Sequence, residues 1–260
     1  MLTLISPAKT LDFATLNTEL PTTQPDLLNK SAELVKIMQG YPAEGLCQLM
    51  GISIKLGQLN QQRFRDWSVP FTTHNSKAAL FAFRGDVYEG LNADALNQQD
   101  LAYAQQHLGI LSGLYGLLRP MDLIQPYRLE MGTALKNPLG KTLYQFWGSE
   151  ITDLINLRLK ESESHWIINL ASNEYFKAVK PEALAAPIVH PVFKDESNGR
   201  YKVISFYAKK ARGMMVRYII KNRIEQADKI KSFSDAGYQY DEGQSSAQAW
   251  VFTRSVANRP

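Results

Sequence analysis

The sequence predicts an α/β protein: a single domain with a mixed sheet, surrounding helices and a helix-hairpin-helix-like element. Three observations lead there. The apolar run WIINLA (166–171) passes directly into SNEYFKAVKP, a strand followed by a helix start. Stretches such as Leu27–Met38 place apolar residues at helical spacing (Leu27, Leu28, Leu34, Val35, Met38). PIVHPVF and RYKVISFYA flank KDESNG, whose Asn-Gly pair is a strong hairpin signal.

In chain order, Leu2 to Ser6 is a short apolar strand halted by Pro7. NTELPTTQPD, with two prolines, reads as a loop. The helix over 27–38 ends at Gly40, and Pro42 suits the first turn of another. Further helix is expected over 54–66, around 76–82, over 100–107 and from Thr142 to Lys160. After the strand 166–171 and the hairpin of 187–208, GYQYD and QAWVFTR form a last strand pair, and residues 255–260 are expected to fray. The domain is therefore drawn over 1–254.

Apolar residues make up 45%, charged residues 21% and aromatics 10% of 260, an ordinary globular balance. A single cysteine, Cys47, forms no intrachain disulfide and fits a reducing compartment. The N-terminus lacks a charged n-region and a signal-like apolar run, and no stretch approaches the roughly 20 apolar residues of a membrane span. The expectation is a soluble cytoplasmic protein with no membrane partner. Oligomeric state is not legible.

Charge is unevenly spread. Arg200 to Lys231 holds ten Lys and Arg against Glu225 and Asp228, so this segment carries +8 in a chain of net +4. On a helical wheel Lys210, Arg217 and Lys221 form one stripe, with Lys209, Arg212 and Arg223 on the flanks and Ala211, Met215 and Ile219 on a buried face. No acid occurs from Tyr207 until Glu225. A solvated face ordinarily mixes both signs, so the stripe favours a polyanion.

LCQLMGISIKLGQLNQQRF (46–64) reads as two helices joined at Gly51-Ile52-Ser53, with Lys55 at the start of the second. It resembles the helix-hairpin-helix of DNA repair proteins, in which hairpin amides and a helix N-terminus meet one phosphate. Ser53 stands where that motif has a second glycine, and Gly57 replaces a small Ala. A plain pair of antiparallel helices explains the same residues.

FAFRGDVYEGL and LSGLYGLLRPMDLIQPYRLEMG gather Arg84, Asp86, Tyr88, Arg119 and Arg128 among Gly and Pro; with Lys9 and Lys177 they are candidates to line an anion-binding cleft. Structural ion pairs account for them as readily. Gly109, Gly113 and Gly116 make no G-x-G-x-x-G, so no nucleotide cofactor is implied. His74, His107, His165 and His190 are scattered without metal-ligand spacing, and no metal site or catalytic set is expected.

Taken together, LISPAKTLD, FRGDVYEGL, LSGLYGLLRPMDLIQPYRLEMG, LYQFWG, NLASNEYFK and ISFYAKKARG resemble the YaaA peroxide-stress family over residues 1–254. The resemblance implies a role in the bacterial response to hydrogen peroxide, with lowered unincorporated iron. It also implies sequence-independent binding to duplex or branched DNA through a basic cleft and a helix-hairpin-helix on Leu46–Phe64. A competing reading is an enzyme acting on a phosphorylated or nucleotide-like small molecule in the arginine-lined pocket.

Overall fold

The computed structural model describes residues 1–14 and 21–259; Asn17–Leu20 of the expected loop, and Pro260, lie outside them. The chain opens with strand β1 (Leu2–Ile5) and a short β2 (Thr10–Leu11). Helices α1 (Leu28–Gln39), α2 (Ala43–Met50) and α3 (Ile54–Asp66) follow. Next come β3 (Lys77–Ala78), α4 (Ala79–Ala82), β4 (Phe83–Arg84), α5 (Asp86–Leu91) and α6 (Gln98–His107). Strands β5 (Leu108–Ser112), β6 (Gly116–Leu118) and β7 (Leu123–Ile124) precede α7 (Leu143–Trp147) and α8 (Glu150–Glu161). The last third holds β8 (Ile167–Asn169), α9 (Asn173–Phe176), β9 (Ile188–Ser197), β10 (Arg200–Lys202), α10 (Ser205–Lys221), β11 (Gln239–Asp241) and β12 (Ala249–Arg254).

The main sheet runs in the order β11-β12-β9-β8-β1-β5-β6, with β10 pairing β9 at the side. β1 lies parallel to β5 and to β8, and β9 is parallel to β8 and β12. β6, β10 and β11 are antiparallel to their neighbours. The sheet is thus mixed, and its central strands are buried on both faces, as LTLI and LGILS show. Among the described residues no helix is long and apolar enough to cross a membrane.

Several sequence expectations change here. The expected strand over 200–208 stops at Lys202; Ser205 already begins α10, so SFYA is the first turn of the basic helix. The helix expected near 76–82 is only the four residues of α4, preceded by β3. The single helix over 142–160 divides into α7 and α8 at Gly148. The hairpin does turn at Asn198-Gly199, both with positive φ.

Candidate functional site

At β1 the direction of travel through the sheet reverses, since β5 lies on one side and β8 on the other. In open α/β sheets the carboxyl ends of strands at such a switch point are where ligands bind, in the crevice beside the loops that leave them. Here those loops are Ser6–Lys9 after β1 and Ala171–Glu174 after β8. Ser6 Oγ donates to Ser172 Oγ at 3.3 Å and accepts the Ser172 amide at 2.8 Å. Tyr88 OH donates to the Ser6 carbonyl at 3.1 Å. Three residues on, Lys9 Nζ meets Glu130 at 2.8 Å, and Arg128 meets the same carboxylate at 3.0 Å. Glu174 Oε1 accepts the Gly132 amide at 2.9 Å, tying the 128–132 strap to the β8 loop. The structure therefore brings Lys9 and Arg128 together on Glu130, with Tyr88 anchoring the β1 loop at Ser6.

The wall behind them is aromatic. Tyr127 packs edge-on to Tyr115 at 5.2 Å and to Phe83 at 6.5 Å, and its hydroxyl shares a 2.7 Å hydrogen bond with Ser112. Burial pushes the Tyr88, Tyr127 and Tyr175 hydroxyls up, so all three stay neutral donors at any ordinary pH. Arg63, on α3, is half-buried; desolvation and then the charge of Arg128 depress its pKa, and its hydrogen bond is a 3.4 Å contact to Asn60. Ser6, Arg63, Glu130 and Ser172 were missed from the sequence. The available signal was a hydroxyl just beyond each apolar strand, Ser6 after LTLI and Ser172 after IINLA.

The other cleft candidates lie apart from this cluster or on its margin. Arg84 bonds Asp12 at 3.4 Å and Asp94 at 3.7 Å. Asp86 reaches Lys209 at 3.9 Å. Lys177 lies over the Tyr144 ring at 5.1 Å. Arg119 clamps Asp26 and the fully buried Asp122, each at 3.1 Å, and Asp26 also takes the buried Arg158 at 2.9 Å. This is a structural knot under the N-terminal loop, the ordinary fate of such arginines.

The α2–α3 turn has a definite geometry. Gly51 closes α2 in the left-handed region (φ 61, ψ 43), with open space where a side chain would stand. Ser53 does not need positive φ: it is extended (φ −66) and caps α3 by accepting the Leu56 amide at 3.5 Å. Gly57 is required because a side chain there would run into Cys47 Sγ and the Ala43 carbonyl. Cys47 itself donates to the Ser53 carbonyl at 3.4 Å and serves the turn. The exposed Lys55 follows directly, beside first-turn amides that have no intrahelical partner.

On α10 the run free of acids is answered from other elements. Arg217 reaches Asp235 at 3.6 Å. Lys221 and Arg223 share Asp100, at 2.7 and 2.9 Å, and Arg223 also covers the Tyr103 ring at 5.2 Å. Burial raises the Tyr103 hydroxyl to about 12. Lys209 has only the distant Asp86. Lys210 is exposed with no carboxylate partner among the described residues, and Arg212 is half-buried and depressed by desolvation alone. The C-terminal half of the helix is thus neutralised, while in the N-terminal half Lys210 and Arg212 have no carboxylate partner among the described residues. An open depression of about 490 Å³ lies beyond the paired end, lined by Tyr218, Asn222, Arg223, Glu225 and Lys229.

No three His, Cys, Asp or Glu side chains come together as a metal-ligand set among the described residues. A family model described as peroxide stress protein YaaA matches residues 1–244. A UPF0246 protein of Cellvibrio japonicus is 54% identical over 254 residues, covering 98% of each chain. UPF0246 proteins of Aliivibrio fischeri (strain MJ11) and Shewanella sediminis are 54% and 55% identical, over 100% and 98% of this chain and 100% and 99% of their own.

Proposed function

The chain belongs to the peroxide stress protein YaaA family, and from that premise we propose that it serves in peroxide stress by holding DNA through the phosphate backbone, without reading bases. The observation that carries this reading is the α2–α3 turn. A left-handed Gly51, a capped Ser53 and an exposed Lys55 present a helix N-terminus of the kind that accepts one phosphate. Lys210 and Arg212 on the N-terminal half of α10, with Lys209 held only loosely by Asp86 at 3.9 Å, supply further positive charge. Arg217, Lys221 and Arg223, already satisfied by Asp235 and Asp100, contribute less than their sequence suggests. In this reading free iron falls indirectly, through a DNA-linked response rather than through iron held by this chain.

Mobility-shift titration with duplex, bubble and junction DNA tests the proposal. Neutralising about four phosphates gives a slope of log K against log salt of roughly −3 to −4 on duplex. Lys55→Gln and Lys210→Gln should each make that slope shallower by about one unit. A salt-independent affinity, or one confined to a single sequence, rejects the reading.

A further inference from the structure

The crevice at the ends of β1 and β8 is not used by the DNA grip just described. Its groups nevertheless converge. Lys9 and Arg128 are held side by side on Glu130, and the 128–132 strap is fastened to Glu174, two residues from Ser172. Ser172 in turn is hydrogen-bonded to Ser6, three residues from Lys9.

The balance of donors and charges is uneven. Two cations share one carboxylate, and Arg63 on α3, whose pKa burial and then the charge of Arg128 depress, has no carboxylate of its own among the described residues. Glu174 sits at the rim with one oxygen already on the Gly132 amide. The Ser172 hydroxyl accepts from Ser6 and has no acceptor for its own proton among the described residues. Lys9 is 63% exposed at the mouth, whereas Arg128 is 18% exposed and fixed in direction by Nε and Nη2 on Glu130. A held guanidinium, a hydroxyl proton without an acceptor and an exposed ammonium are the donors that suit a tetrahedral oxyanion.

We propose that this crevice is a phosphate-binding site, its anion held by Arg128, Lys9 and the Ser172 hydroxyl. The phosphate belongs either to a free phosphorylated small molecule of mononucleotide size or to a DNA strand drawn across the strand ends. Neither source depends on the α2–α3 turn, so this site and the DNA reading stand or fall separately.

Calorimetric titration of the full chain with inorganic phosphate, with a nucleoside 5′-monophosphate and with a short duplex tests it. Lys9→Gln, Ser172→Ala and Arg128→Gln are compared with Lys55→Gln, after circular dichroism has established that each is folded. Phosphate or monophosphate should bind, and each crevice variant should weaken it by about tenfold, the worth of one charge-assisted hydrogen bond. Lys55→Gln should leave it unchanged. Monophosphate binding that duplex does not compete away assigns the site to a small molecule. Competition, with Lys9→Gln also weakening duplex, assigns it to the DNA backbone. No binding of either small anion, or binding that Lys9→Gln and Ser172→Ala both leave intact, overturns the proposal whatever the mobility shifts show.

Discussion

Asp100 is 3% exposed, yet it ends up more acidic than an ordinary aspartate. Burial pushes its carboxyl up, but hydrogen bonds from Lys221, the Asn97 amide and Arg223, with the charge of Lys221, together pull it below its usual value. A carboxyl lowered on folding stabilises above the unfolded pKa, about 4, and loses that contribution as pH falls through its folded value. Asp100→Asn should therefore cost about 1–3 kcal/mol at pH 7, and the gap to the parent should close below about pH 4. Urea titrations at several pH values check this; a gap that persists unchanged into acid contradicts it. Asp195 is a stricter case. It is fully buried, bonded by Arg254 at 2.7 Å and by Tyr238 OH at 2.7 Å, with Arg254 stacked on Tyr238 at 4.4 Å. Arg254→Met strands that carboxylate and should lower stability by about 3–5 kcal/mol, read as a drop in urea midpoint.

The helix α10 owes its place to a close crossing with α5. A side chain at Gly213 would strike the Val87 carbonyl and, at 2.7 Å, the Leu91 amide; one at Gly90 would strike the Lys210 carbonyl. Gly213→Ala should cost about 1–3 kcal/mol, with the urea midpoint lowered and its slope unchanged. Lys210→Gln, on the open side of the same helix, should leave the midpoint where it is. How far these elements could be read in advance follows from their surroundings. The helices with one buried face, and the Asn-Gly hairpin, carried their own periodicity. β5 and β6 did not, because LGILSGLYGLL is buried on both faces and shows no alternation. RYKV alternates like a strand, and the change to helix at Ser205 has no capping side chain to announce it. The basic stripe was legible as residues but not as charge, since Asp86, Asp100 and Asp235 come from elsewhere in the chain. The crevice was half legible: Lys9, Tyr88 and Arg128 stood out, while Ser6, Glu130, Ser172 and Arg63 acquire meaning only from contacts with residues distant in sequence.

Across the whole molecule the titrating histidines set the response to acid. Burial lowers His107, which packs on Tyr103 at 4.3 Å, and it lowers His190, which shares a 3.0 Å hydrogen bond with Asn169. A base whose folded pKa is depressed binds its proton more readily when unfolded, so stability falls as pH drops below about 6.5 toward the folded values. Unfolding free energies at pH 7.5, 6.5 and 5.5 should decline in that order, and His190→Gln should flatten the decline; a level profile would sink the assignment. The central place of β1 has a consequence in time as well. Thr3 pairs Leu108 on one side and Ile168 on the other, so β1, made before both partners, gains its second neighbour only when β8 emerges. At about 5–20 residues per second the nascent chain waits roughly 10–30 s for β8. Until β5 emerges LTLI has two open edges, and until β8 follows it keeps one, which makes the growing polypeptide a client for whatever shields apolar segments during translation.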